Sequence, residues 1–203
     1  NDLGTAMVLI IILLGILFVM GMSYKLIFGF LGAAAIAAPI MWLNFLTQEQ
    51  QTRIMVFLNP GLDPIGDGYN VIQSVMAIGS GRITGKSLLA GNTLSQLNYL
   101  PEPHTDFIYS VIVEALGFLG GITIIVLYAI MILRSIGIAR KAKDTFGQLI
   151  VIGVMCMQMA HIFENIGMTM GIMPVTGIPL PFLSYGGSFM WTNMIALGLV
   201  LNV

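Results

Sequence analysis

Apolar residues in this chain come in long unbroken blocks; they neither alternate nor recur once per helical turn. Leu3 to Met22 and Leu26 to Leu46 contain no charged residue. Three later blocks are nearly as clean: about 107–133 with the single carboxylate Glu114, about 146–171 with His161 and Glu164, and 186–203. A helix needs about 20 apolar residues to cross a hydrocarbon core of about 30 Å. The pattern therefore predicts an all-α, polytopic membrane helix bundle with about five transmembrane helices, at about 3–22, 26–46, 107–133, 146–171 and 186–203. Pro39 predicts a kink in the second span, and glycines within the runs are tolerable where neighbouring helices repack around them.

Composition sharpens this reading. Of the 203 residues, 57% are hydrophobic and 8% charged, whereas soluble domains carry about 25% charge. A net charge of −1 offers no basic field, so no nucleic-acid partner is expected. Cys156 lies inside an apolar run and reads as a small buried residue, with no disulfide or cysteine-based metal cluster available to it. The first span is preceded by no basic stretch and followed by no small-residue cleavage site, so it does not read as a signal peptide. The expectation is a fragment of a longer membrane protein.

The charges then set orientation. Arg134, Arg140, Lys141 and Lys143 fall between the third and fourth spans, and Lys25 between the first and second, which places both links in the cytoplasm. The polar segment 47–106, with five of the nine acidic and three of the eight basic residues, is then extracellular, as is 173–185. Within the large segment, Asn59-Pro60-Gly61, Asp63-Pro64 and Gly66-Asp67-Gly68 are turn signals. Val71, Ile72, Val75, Met76 and Ile78 predict one apolar face of a short helix against the membrane, opposite Gln73 and Ser74. The run 174–188 carries prolines and glycines with no charge. It predicts a re-entrant or cavity-lining segment, since irregular backbone at membrane depth must be covered by protein or face a cavity.

The densest chemistry is Glu102-Pro103-His104-Thr105-Asp106, expected at the outer membrane face. A partly desolvated carboxylate there has a raised pKa and suits general-base work; Asp106 could equally cap the third helix. His104 is either a site residue or a hydrogen-bonding loop histidine. Glu114 lies a little over two helical turns beyond Asp106, near the same face, and is either functional or half of an interhelical pair. His161 and Glu164 are helix neighbours, read as a satisfied polar pair more readily than as a metal or proton site. Arg53, Arg82 and Lys86 are the cations expected outside, suited to an anionic phosphate substrate or else solvated. Gly85-Lys86-Ser87 lacks the spacing and the preceding strand of a phosphate-binding loop, which excludes nucleotide binding.

In order along the chain stand Asp2-Leu3-Gly4-Thr5; Gly68-Tyr69 with Gln73-Ser74 and Ala77-Ile78-Gly79-Ser80-Gly81; Leu100-Pro101-Glu102 with His104-Thr105-Asp106-Phe107-Ile108; Asn165-Ile166-Gly167-Met168; and Pro179-Leu180-Pro181-Phe182 with Ser184-Tyr185-Gly186-Gly187-Ser188. With these blocks the chain resembles the SEDS family (shape, elongation, division and sporulation), the membrane-embedded peptidoglycan polymerases typified by RodA and FtsW. Gln96-Leu97-Asn98-Tyr99 and Asn59-Pro60 lean toward the RodA-like branch. Glu114-Ala115 departs from the two consecutive acids usual in the family, and Asn1 and Phe189 replace a proline and a small residue.

The resemblance implies the C-terminal half of a ten-span fold in the bacterial cell membrane. It further implies an inverting, lipid II-dependent glycosyltransferase with Asp106 as catalytic base on the extracytoplasmic face. Glu102, His104, Lys86, Arg82, Arg53, Glu114, Ser184 and Tyr185 are candidate substrate-binding residues. Charge on the departing undecaprenyl pyrophosphate would be offset by the cations or by a divalent metal, magnesium or manganese. The implied partner is a class B penicillin-binding protein that cross-links the product, and without the first half the fragment alone is expected to be inactive. Two rival readings stand beside the enzyme: a transporter (flippase) of the lipid-linked precursor, using Glu114, His161 and Glu164, and a non-catalytic scaffold for wall enzymes.

Overall fold

The computed structural model describes residues 3–44, 46–63, 66–86, 100 and 102–203. Asn1, Asp2, Pro64, Ser87, Pro101 and the stretch 96–99 used above lie outside these. The protein is a helix bundle with no strand among the described residues. Its helices are α1 (Leu3–Val19), α2 (Tyr24–Asn44), α3 (Gln48–Leu58), α4 (Asp67–Ser80), α5 (Ile108–Lys141), α6 (Thr145–Thr169) and α7 (Gly187–Asn202), with a 3-10 turn at Pro60–Leu62. Helices α2, α5 and α6 are long and apolar enough to cross a membrane; α1 and α7, at 17 and 16 residues, are shorter.

Helix α6 is the hub. It packs against α1, α5 and α7, and its contact faces are studded with small residues that let neighbours approach. Gly15 of α1 faces Cys156 so closely that a Cβ there would sit 2.3 Å from its Sγ. Helix α2 is the opposite case, with none of its described residues buried. Leu26, Phe28, Ile36 and Leu43 all project outward, as suits a helix whose solvent is lipid.

The segment between α2 and α5 folds locally. A capping box starts α3: the Thr47 hydroxyl accepts from the Gln50 amide at 3.4 Å, and the Gln50 side chain accepts from the Thr47 amide at 3.1 Å. Asp63 accepts from the amides of Gly66 and Asp67 at 2.9 and 3.1 Å and so leads the chain into α4. Helix α4 turns one face to the bundle and another outward. Its buried residues are Gly68, Val71, Ser74 and Ala77, whereas Ile72, Val75 and Met76 are exposed. Small residues one turn apart bring α4 close to the bundle, where Ser74 donates to the Thr169 carbonyl at 2.7 Å.

Two differences from the predicted spans concern α5. Its helix runs on to Lys141, so Arg134, Arg140 and Lys141 ride on its last turns and the link to α6 is only Ala142 to Asp144. It is also broken near its start, because Gly117 adopts φ 72°, ψ −170°. The chain from Arg82 to Lys86 fills the break: Phe118 and Leu119 donate to the carbonyls of Arg82 and Ile83 at 2.8 and 3.3 Å, and Lys86 donates to that of Glu114 at 3.0 Å. Gly85 is required opposite, since a Cβ there would lie 2.1 Å from the Ala115 oxygen.

Candidate functional site at the start of helix α5

Asp106 sits one residue before Phe107, the N-cap of α5, and no side chain caps that helix. The capping alternative for Asp106 is therefore not realised, and its carboxyl is available for other work. Three contacts fix its position. The Asn165 amide of α6, fully buried, donates both to the Asp106 carbonyl at 2.8 Å and to the Ile178 carbonyl at 2.7 Å. Ser184 donates to the Thr105 carbonyl at 2.6 Å and accepts from the Leu180 amide at 2.7 Å. Tyr185 N–H donates to the His104 carbonyl at 2.8 Å. The irregular segment 174–186 is thereby stitched to the approach to α5, and Tyr128 adds a hydrogen bond to the Pro181 carbonyl at 2.5 Å.

This stitching places the Asp106 carboxylate against Gly177, where a Cβ would stand 3.5 Å from Oδ2. Gly177 has φ 70°, a left-handed conformation that glycine adopts readily. Burial pushes the Asp106 pKa above its usual value and the charge of Glu102 pushes it further, while the Thr105 hydroxyl and Arg53 pull it down. Glu102 has φ 46°, left-handed for a non-glycine residue, in the turn that carries it.

Arg53 is the cation whose charge acts on this carboxylate. Its Nε lies 3.3 Å from Asp67 Oδ2, and its guanidinium also donates to the Val175 carbonyl at 3.5 Å. Burial raises the Asp67 pKa, with Arg53 opposing and Asp63 reinforcing the shift. Arg53, Glu49 and Gln50 of α3 line a cavity of about 480 Å³ whose far wall is Pro174, Val175 and Thr176. Thr176 directly precedes Gly177, the residue that meets the Asp106 carboxylate.

The other expected residues divide by location. Lys86 and Glu114 pair with one another, Nζ to Oε1 at 3.3 Å, and Ser80 joins Glu114 at 3.3 Å. Glu114 is 0% exposed, and the pair anchors the loop inserted at the α5 break. Arg82, with φ 51°, gives its carbonyl to that insertion. Ser184 is 2% exposed, and both of its bonds hold chain segments together. Tyr185 is exposed and, with His104, lines a separate groove of about 440 Å³.

His161 engages the Met157 carbonyl through Nδ1 at 2.8 Å and stacks on Phe189, their ring centroids 5.2 Å apart. Among the described residues no group of three or more His, Cys, Asp or Glu stands close enough together to hold a metal ion; Arg53 is the cation whose charge acts on Asp106. Sequence reasoning missed Asn165 as the clamp. Its signal was an amide inside a membrane-spanning helix, which in a bilayer needs a partner.

The model of the FtsW, RodA and SpoVE family, described as cell cycle protein, matches residues 1–203. The chain is 43% identical over its whole length to peptidoglycan glycosyltransferase MrdB of Escherichia coli K12, covering 54% of that protein. It is 45% identical over 82% of its length to peptidoglycan glycosyltransferase RodA of Treponema pallidum, covering 38% of it, and 38% identical to stage V sporulation protein E of Bacillus subtilis. A solved chain from a peptidoglycan synthase complex, described for its coordination of polymerization and crosslinking, superposes with a TM-score of 0.79 at 33% identity, over 99% of this chain and 55% of that one. The chain spans about half the length of MrdB and of stage V sporulation protein E. It is a multi-pass membrane-helix chain and belongs to the FtsW/RodA/SpoVE family of cell cycle proteins.

Proposed function

We propose that the full-length protein containing this chain is a peptidoglycan glycosyltransferase that polymerises lipid II on the extracytoplasmic face of the bacterial cell membrane, with Asp106 as general base. The curated relatives carry that activity in their names, and the observation that supports the assignment to Asp106 is a carboxylate held uncapped at the start of α5 against Gly177, with Arg53 as the cation acting on it. A carboxylate of raised pKa accepts a proton more readily near neutral pH than an ordinary one.

In the proposed reaction, Asp106 takes the proton of an acceptor sugar hydroxyl as its oxygen bonds to the anomeric carbon of the donor strand. The bond from that carbon to the pyrophosphate oxygen breaks, and undecaprenyl pyrophosphate leaves with the electron pair. Configuration inverts. Arg53 meets the negative charge of the leaving group; a fork of N–H donors suits phosphate oxygens. Asn165 and Ser184 position the base without touching substrate, and Gly177 leaves its carboxylate uncovered on one side. The orientation rests on the basic residues Arg134, Arg140, Lys141 and Lys143 at the far end of the bundle, which mark the cytoplasmic side. A class B penicillin-binding protein is the proposed cross-linking partner.

The test is polymerisation of lipid II by the full-length parent reconstituted with that partner, compared with Asp106→Asn. A fall on the order of 10²–10⁴-fold, with the fold and partner binding retained, is expected for loss of a general base. Polymer formation at the parental rate would overturn the assignment.

A further inference from the structure

The end of the bundle remote from Asp106 carries a second feature, unused by the proposed reaction. Leu133, Arg134, Gly137, Ile138 and Lys141 occur at the i, i+3, i+4 and i+7 spacing of one helical face, and with Val203 at the end of α7 they line a concave groove of about 270 Å³. Two cations thus stand about 10 Å apart along one face of α5, at 1.5 Å per residue. Between them the helix is bare: a Cβ built on Gly137 would meet nothing within 4 Å. The rest of the lining, Leu133, Ile138 and Val203, is apolar.

These cations have no carboxylate within ion-pair distance among the described residues. The two salt bridges found there are Arg53–Asp67 and Lys86–Glu114, both at the other end. The neighbouring acid, Asp144, is turned to the start of α6, where it accepts from the Gly147 amide at 2.8 Å. Topology alone explains why Lys and Arg gather on this side of a membrane. It does not explain a concave seat with a cation at each end, a bare glycine between them and apolar walls.

We propose that this groove is a binding site for an anionic phospholipid of the inner leaflet, its phosphate held between Arg134 and Lys141 and an acyl chain lying over Gly137 against Leu133 and Ile138. The chemistry matches part by part. Lys and Arg near the cytoplasmic surface attract anionic headgroups, and basic pockets between membrane helices receive such groups. Long cationic side chains keep their charge at the interface while their stems cover apolar surface.

Native mass spectrometry of the full-length parent tests this, with phosphatidylglycerol, phosphatidylcholine and inorganic phosphate as separate probes. The parent is expected to retain phosphatidylglycerol at least tenfold over phosphatidylcholine and to bind inorganic phosphate weakly. Arg134→Gln/Lys141→Gln should lower phosphatidylglycerol retention at least fivefold, and Gly137→Leu, which fills the seat and leaves every charge in place, should lower it as well. Arg140→Gln/Lys143→Gln, outside the groove, should change it less than twofold. Thermal unfolding of each variant confirms that it is folded. Retention unaltered by the groove variants, equal loss in the outside pair (a diffuse basic surface only), or phosphate binding as tight as lipid would each overturn the site.

Discussion

The two ends of the α5–α6 pair are held together by different means. At the Asp106 end, side chains reach across to carbonyls far away in sequence: Ser74 to Thr169, Asn165 to Asp106 and Ile178, and Ser184 to Thr105. At the Arg134 end, Ala139, Val151, Ile152 and Val200 form an apolar cluster. The difference follows from what each end must hold. Regular helices satisfy their own backbone and need only be packed, whereas the irregular chain at 174–186 has backbone groups that must find partners inside the protein. Directional bonds also fix where Asp106 stands; packing alone would leave the carboxylate more freedom.

This contrast can be broken experimentally. The largest stability loss is expected at Asn165→Leu, which leaves the Asp106 and Ile178 carbonyls without their shared donor; each buried unpaired group costs about 1–3 kcal/mol, read as a fall in Tm of the full-length protein. Ser184→Ala, which strands the Thr105 carbonyl and the Leu180 amide, should cost about 1–3 kcal/mol and lower polymerisation more than its stability loss explains. At the other end, Ile152→Val should cost about 0.5–1.5 kcal/mol with polymerisation intact. Similar losses of activity from Ile152→Val and Ser184→Ala would erase the distinction.

Asp106→Asn belongs at the bottom of the stability scale. A carboxyl whose folded pKa is raised binds its proton more tightly when folded, so its ionised form lowers stability as pH rises through that window. Replacing it should leave Tm unchanged or higher while activity falls. A marked fall in Tm would mean that the residue is structural.

Much of this was legible in the sequence, for physical reasons. Uninterrupted apolar runs locate α1, α2, α5, α6 and α7 because a helix in lipid has few other ways to satisfy its backbone. The capping box at Thr47 and Gln50 was also there to read, and it begins the helix that presents Arg53. The break at Gly117 was not, because glycines in membrane spans more often serve close packing, and the partner that fills the break, Arg82 to Lys86, is some thirty residues away in sequence. On α4 the sequence set Ser74 on the polar side, but the structure buries it against α6, because its hydroxyl finds the Thr169 carbonyl as partner. Sequence left Glu114 open between a functional role and an interhelical pair, and Lys86 between phosphate binding and a solvated charge. Their 3.3 Å contact realises the pairing.

The role proposed for Asp106, an ionised base, is tested most directly by the acid limb of the pH–rate profile. Glu102 raises the Asp106 pKa and Arg53 lowers it, so rates should fall with decreasing pH through a pKa that moves in opposite directions in two variants. With the full-length protein and lipid II, Glu102→Gln should shift the acid limb to lower pH and Arg53→Gln to higher pH, and Asp106→Asn should leave no limb to shift. Limbs that coincide with the parent in both variants, or an unchanged profile in Asp106→Asn, would contradict the account.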